Sequence, residues 1–304
     1  MRVLVTGIAG FVGRHLAAEL ATHGHEVFGF DIGAPPPGLA LKACSVGSIQ
    51  DPAAIHQAIE QSTPDACVHL AGYAFVPVGH SVPERMLEVN LMGTIHVLEA
   101  FRSVRPEARI LAVSSAHVYG SRPRGAAIVE ADPLDPDSFY AVAKAGSDVA
   151  ARLYATEYAM RVIVARPYNH IGPGQSPQFA VASFARQVKA IAAGADPLMR
   201  VGNLDCERDF TDVRDVVRAY RLLLERGRPA DAYNIASGHT VRVGRILQRL
   251  CELAGITPRI ERDPARYRTD TLAPRLDATK LRTETGWEPR LPLDQTLHDI
   301  LAAS

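Results

Sequence analysis

The stretch Thr6-Gly7-Ile8-Ala9-Gly10-Phe11-Val12-Gly13 constrains this chain more than any other. It stands between a short apolar run, Val3-Leu4-Val5, and a helical apolar pattern from Phe11 to His23. Glycines spaced GxxGxxG at a strand-to-helix junction have three separate tasks. Gly7 permits a tight turn, Gly10 lets the backbone come close to a pyrophosphate, and Gly13 allows the helix to sit close on the strand. The helix start offers phosphates its free N–H groups and a partial positive charge. The loop, with Phe11 and Val12 at the helix start, therefore reads as the phosphate cradle of a dinucleotide. Asp31 closes the next strand, where a carboxylate accepts hydrogen bonds from ribose hydroxyls and repels a 2′-phosphate. Ile32-Gly33-Ala34 supply no arginine to receive such a phosphate, and Arg14 is the one cation near the loop. NAD(H) is the favoured cofactor, with NADP(H) as the alternative.

The strand-then-helix pattern repeats. Glu26–Phe30, Ala66–Leu70, Ile110–Ser114 and Val162–Ala165 read as short strands, and residues 52–61, 84–103 and 138–158 have helix length. Continuous apolar strands alternating with helices predict a parallel sheet covered on both faces. After Arg166 the pattern breaks. Pro167 to Pro177 contains Gly172, Pro173 and Gly174 and reads as a structured loop, as does Ala34-Pro35-Pro36-Pro37-Gly38. Beyond it helices dominate and strands are brief, as at Ala232–Ile235. The expected fold class is α/β, a Rossmann doubly wound parallel sheet with a smaller C-terminal α/β substrate-binding lobe. Residues 1–166 would form the NAD(P)-binding domain, with part of 211–236 returning to it. Residues 167–304 would mainly form the lobe.

Composition narrows the partners. Among 304 residues, 33 Lys+Arg balance 33 Asp+Glu. Such a chain has no overall field for nucleic acid or an anionic membrane, so any anion must be held locally. No apolar run approaches the ~20 residues of a membrane span, and nothing after Met1-Arg2 resembles a signal peptide. A soluble, cytoplasmic protein is expected. The four cysteines, at 44, 67, 206 and 251, follow no CxxC or metal-ligand spacing and read as free thiols, with no metal site.

Tyr140 and Lys144 stand at i and i+4 on one expected helix. A tyrosine with a pKa of ~10 is a poor proton carrier at neutral pH. A fixed cation beside it, joined by a positive nicotinamide ring, favours the phenolate. Ser114-Ser115-Ala116-His117-Val118-Tyr119-Gly120 follows an expected strand and so lies at the carboxyl edge of the sheet, where ligands bind. There Ser115 and Tyr140 can converge on one carbonyl oxygen. His117 reads equally as a satisfied structural histidine or as a substrate contact.

Together the glycine motif, Ser115, Tyr140 and Lys144 resemble the extended short-chain dehydrogenase/reductase family, in its sugar-nucleotide branch. The resemblance runs the length of the chain, through His69-Leu70-Ala71-Gly72, Asn90 with Gly93-Thr94, Arg166-Pro167-Tyr168-Asn169 and Arg208-Asp209-Phe210. It implies that Ser115 and Tyr140 orient and protonate the sugar carbonyl while Lys144 binds the nicotinamide ribose. Leu70, Ala71, Gly72, Ile49 and Pro167 would line the cofactor cleft. Asn90 would shape the helix bend and a water relay near the lysine. The family often carries an adenine-binding acid after its third strand; Ser48-Ile49 stand there in this chain.

Dehydratases of this branch resemble Thr-Asp-Glu at the position of Ser115-Ala116-His117, and their glutamate protonates the departing hydroxyl. The missing carboxylate disfavours elimination and leaves hydride transfer. Asn169 to Pro177, with Gly202-Asn203-Leu204-Asp205 and Arg208-Asp209-Phe210, resembles the branch members that reduce a GDP-4-keto-6-deoxymannose-type sugar nucleotide to GDP-D-rhamnose. On that resemblance Asn169 contacts the sugar or its phosphate and Arg208 the diphosphate, where a bidentate guanidinium suits the geometry. Arg186 and Arg268 are further nucleotide candidates or, equally, surface ion pairs. The rival outcomes are a GDP-6-deoxy-D-talose-forming reductase, an epimerase that retains NAD, and a non-catalytic nucleotide-binding protein. Apolar residues beyond one face of segments 84–103 and 138–158, among them Val97, Leu98, Phe101, Leu153 and Tyr154, suggest a homodimer.

Overall fold

Strand β1 (Arg2–Thr6) is buried on both sides: Val3 and Val5 enter one apolar cluster and Leu4 the opposite one. A strand without a polar face must lie inside a covered sheet. It pairs in parallel with both β2 (Glu26–Asp31) and β4 (Ala66–His69). In this computed structural model, which describes residues 1–74, 82–120, 126–263 and 275–303, the sheet has seven strands. Their order is β11-β6-β5-β4-β1-β2-β3, every pair parallel, with β3 (Ala43–Val46), β5 (Arg109–Val113), β6 (Arg161–Pro167) and β11 (Ala232–Ile235). Strand order reverses between β1 and β4, so the chain leaves their carboxyl ends in opposite directions and opens a crevice there. The Rossmann doubly wound sheet is as the sequence predicts. Edge strand β3 escapes sequence reading because it is short and Val46 is exposed, leaving no apolar run.

One face is covered by α1 (Phe11–Thr22) and α7 (Val213–Arg226), where Leu16, Ala17 and Leu20 share a cluster with Val216, Val217 and Tyr220. The other is covered by α2 (Pro52–Ser62), α4 (Gly93–Val104) and α5 (Phe139–Glu157). The expected helix over 84–103 is broken. Its first part, α3 (Pro83–Leu87), passes through a π turn at Glu88–Met92 before α4 begins. The wider turn carries Asn90 inward, and that amide clamps a loop backbone described below.

A third apolar cluster stands apart from the sheet. It joins α6 (Ala180–Ala192), α8 (Val243–Ala254) and α10 (Leu293–Ala302) through Phe184, Val188, Leu247, Leu250 and Leu297. Beside it β8 (Leu198–Val201) pairs with β13 (Arg259–Arg262). Helix α9 (Thr279–Thr285) leads to Trp287, whose indole N–H donates to the Asp215 carbonyl on α7 at 2.9 Å. The Gly/Pro loop after β6 holds a two-residue strand, β7 (His170–Ile171), paired with β10 (Thr211–Asp212); β9 (Glu207–Asp209) pairs with β12 (Thr240–Arg242). Among the described residues no helix is long and apolar enough to cross a membrane.

Candidate active site

A cleft of ≈ 1740 Å³ runs along the carboxyl edge of the sheet and out to the third cluster. At one end lies the glycine loop. Gly7 has φ +74°, and a Cβ there would stand 2.8 Å from the Ala71 nitrogen. A Cβ on Gly13 would sit 2.4 Å from the Gly7 carbonyl oxygen, so the helix closes on the turn only because the side chain is missing. A Cβ on Gly10 would meet, among the described residues other than its chain neighbours, the Gly7 oxygen at 3.1 Å, and Gly10 itself borders the cleft. No side chain caps α1 and no acid stands in its first turn. Its first N–H groups are therefore available to an anion, as a dinucleotide phosphate requires. Asp31 borders the same cleft and accepts a hydrogen bond from the Ala9 N–H at 2.8 Å, which ties the end of β2 to the glycine loop. Phe11, Val12, Ile49, Leu70, Ala71, Gly72 and Pro167 also line it.

Asn90 does not line the cleft. Its Oδ1 accepts from the Tyr73 N–H at 2.7 Å and its Nδ2 donates to the Tyr73 carbonyl at 3.0 Å, so the amide is committed to holding the wall from behind. A buried chain of hydrogen bonds continues from there. Thr94 gives its hydroxyl proton to the Asn90 carbonyl, which leaves its oxygen to accept from His69 Nε2 at 3.1 Å. His69 Nδ1 must then accept from Thr6 Oγ1 at 2.7 Å, and Thr6 in turn accepts from the Ala71 N–H. One tautomer satisfies every member, and burial with the nearby Lys144 charge lowers His69 to about 3, keeping it neutral.

At the far end of the sheet edge stand Ser115, Tyr140 and Lys144, each under 9 % exposed. Ser138 caps α5 by accepting from the Ala141 N–H, which fixes where the helix begins and so where Tyr140 points. Ser115 Oγ accepts from the His117 N–H at 3.2 Å and stands near enough to the Tyr140 phenol to ease its ionisation. Lys144 donates to the Val113 carbonyl at 2.8 Å, and burial pulls it down to about 8. These residues by themselves do not favour the phenolate. Burial raises Tyr140 above the ordinary tyrosine value, opposed by nearby Ser115, and Lys144 is turned to a backbone carbonyl. His117 lies edge-on to Tyr140 at 5.9 Å and also borders the cleft.

Under this site lies a buried ion pair. Arg166 reaches Asp148 through two bonds of 2.7 and 2.9 Å and donates to the Tyr119 hydroxyl at 2.6 Å. Tyr119 ends the turn that carries Ser115 and His117, so the pair anchors that turn to β6 and α5.

The opposite wall carries Asn169, Arg186 and Arg208. Asn169 donates to the Asp209 carbonyl at 3.3 Å, and Arg208 to the Glu207 carbonyl at 2.7 Å. Arg268 lies outside the described residues. Lining residues that the sequence does not single out include Arg85, Arg200 and Tyr220. Each is a lone side chain belonging to no spaced motif, and Tyr220 sits in the apolar stripe of α7, where it reads as core.

The geometry is matched by known proteins. The family model described as GDP-mannose 4,6 dehydratase matches residues 4–300. The chain belongs to this family of extended short-chain dehydrogenases/reductases. A GDP-6-deoxy-D-mannose reductase of Pseudomonas aeruginosa is 34% identical over 304 residues, covering 99% of this chain and 96% of the relative. The solved structure of RMD from Pseudomonas aeruginosa complexed with NADPH has a TM-score of 0.87 at 33% identity, over 99% of this chain and 98% of that one. The UDP-glucose 4-epimerase of Thermus thermophilus in complex with NAD has a TM-score of 0.89 at 28% identity, with the same coverage. Those two solved structures hold NADPH and NAD respectively.

Proposed function

We propose that the chain reduces the C4 keto group of a GDP-4-keto-6-deoxymannose-type sugar nucleotide, giving GDP-D-rhamnose. The observation that carries this is the Ser115–Tyr140 pair at the buried end of a cleft whose other wall bears Arg186 and Arg208, with no carboxylate at 115–117. The full-length likeness to a GDP-6-deoxy-D-mannose reductase supports the substrate class.

NAD(P)H, when bound, supplies the hydride. Gly7, Gly10, Gly13, Phe11 and Val12 hold its pyrophosphate and Asp31 its adenosine ribose, the carboxylate favouring NADH over NADPH. Lys144 has donors to spare beyond the Val113 carbonyl and holds the nicotinamide ribose. Tyr140 keeps its proton at Oη because burial raises its pKa, so the acid is already loaded at neutral pH. A reduction needs that state, since the oxygen developing at C4 must receive a proton. Ser115 donates to the same oxygen and stabilises its charge. Asn169 and Arg208 orient the sugar and diphosphate from the opposite wall, with Arg186 at its rim.

In this reading residues 1–166 with part of 211–236 carry the cofactor, and the remainder of 167–304 the sugar nucleotide. The protein is cytoplasmic and acts as a homodimer. Phe139, Val142, Val149 and Leu153 are exposed along α5, beside exposed Met92, and spacings of three, four or their multiples put them on one helix face.

The test mixes purified protein with GDP-4-keto-6-deoxymannose and NADH or NADPH, and follows loss of reduced-nicotinamide absorbance. Stoichiometric loss is expected, and NMR of the product separates rhamnose from talose. No loss, with oxidised NAD released on denaturation, would instead identify an epimerase. Light scattering should read twice the chain mass.

A further inference from the structure

Tyr220 stands on α7 inside the apolar cluster under the sheet, with Val5, Ala165 and Val213, and is 1 % exposed. For packing alone a phenylalanine would serve as well, and a phenol hydroxyl carried into such surroundings costs stability unless it finds a partner. Yet among the described residues the Tyr220 hydroxyl has no hydrogen-bond partner, and the residue borders the cleft. Its helix packs on β5 and β6, the strands that run into Ser115 and Pro167, so it borders the cleft toward the catalytic end of the sheet edge. The glycine loop and Asp31, which suit the phosphates and adenosine ribose, stand at the other end.

We propose that Tyr220 is a further cofactor-contacting residue, its hydroxyl donating a hydrogen bond to the nicotinamide carboxamide. This rests on the cleft being an NAD(P)H site. The ribose hydroxyls at that end are already assigned to Lys144, which leaves the carboxamide, whose carbonyl oxygen needs a donor. A neutral phenol suits the position in both redox states, whereas a cation there would repel the oxidised ring. Burial and the neighbouring Tyr140 both raise the Tyr220 pKa, so the donor keeps its proton at any working pH.

The test is calorimetric titration of the wild type and Tyr220→Phe with whichever of NADH and NADPH binds tighter. The matching ADP-ribose, bearing a 2′-phosphate if NADPH is preferred, serves as the probe that lacks nicotinamide. The variant removes one oxygen from a packed ring and leaves the fold intact, which its melting temperature checks. Dinucleotide affinity should fall about three- to tenfold, the scale of one hydrogen bond, while ADP-ribose affinity changes less than about twofold. Equal loss for both ligands would mean a structural role, and unchanged dinucleotide affinity would mean a hydroxyl that meets only water. Either overturns the proposal while leaving the cofactor site standing. A wild type that binds neither dinucleotide overturns the cofactor site and the proposal together.

Discussion

The two walls of the cleft are built on opposite principles. On the sheet side Ser115, Tyr140, Lys144, His69 and Asn90 are all buried, and Ser115, Lys144, His69 and Asn90 have named protein partners before any ligand arrives. On the opposite side Arg186 and Arg200 are exposed and Arg208 is half-buried. Proton transfer and hydride alignment need donors fixed in advance, because reorganisation during the reaction adds directly to the barrier. A flexible diphosphate can be met by guanidiniums that settle as it binds, at the cost of their rotamer freedom. Substitutions on the first wall should therefore strike turnover or folding, and those on the second should strike apparent affinity.

The largest effect is expected at Tyr140. Tyr140→Phe should lower kcat by at least ~100-fold, the scale of general acid catalysis, with cofactor affinity within about twofold of wild type. Near-normal turnover would remove the assignment. Next comes the support beneath the wall. Arg166→Ala leaves the fully buried Asp148 carboxylate with Arg152, itself 38 % exposed, as its remaining cation, and should cost about 3 kcal/mol in urea unfolding. A loss below about 1 kcal/mol would show that the anchor is dispensable.

Lys144 offers a test in which activity and stability move in opposite directions. Its folded pKa, about 8, lies below the unfolded value of ~10.4. Below pH 8 the folded protein bears the full cost of a buried ammonium. As pH rises from about 8 towards ~10.4 the unfolded chain holds the proton that the folded one has released, so this group's contribution to stability rises. Over the same range the cation that steadies the ribose is lost, and turnover should fall by up to about tenfold per pH unit. Stability is read as the difference between wild type and Lys144→Met, which isolates this group. Parallel rather than opposed trends would mean the ammonium is not buried as described.

How legible all this was depended on whether neighbours in space are also neighbours in sequence. The glycine loop, Asp31 and the Tyr140–Lys144 spacing are local patterns, and the sheet places them along one edge as the alternation of strands and helices predicts. The π turn at Glu88–Met92 was not legible, since it looks like uninterrupted helix until the clamp of Asn90 on Tyr73, a residue in a distant loop, is seen. The balance of charge at Tyr140 shows a related limit. The i, i+4 spacing puts a cation on the same helix face, but the direction of Lys144 is set by the Val113 carbonyl, on a strand, and the outcome by burial. Tyr220 shows the limit most simply, because its place in the stripe of α7 hides an oxygen that borders the cleft.

The smallest effects belong to the second wall, and there two arginines can be set against each other. Arg208 is half-buried, and its Nη1 donates to the Glu207 carbonyl, so its fork is partly oriented before substrate binds. Arg186 is exposed on α6 and must be ordered by the ligand itself. A charge-assisted contact from the first should be worth more than one from the second, which loses more side-chain entropy and is better screened by water. Arg208→Ala should raise KM for the sugar nucleotide about ten- to a hundredfold, and Arg186→Ala about three- to fivefold, each with kcat changed less than about threefold. Steady-state kinetics at low and high salt reads both. If Arg186→Ala were the more damaging, or if either lowered kcat with KM unchanged, the wall would be acting on the reacting geometry and the contrast between the two sides of the cleft would fail.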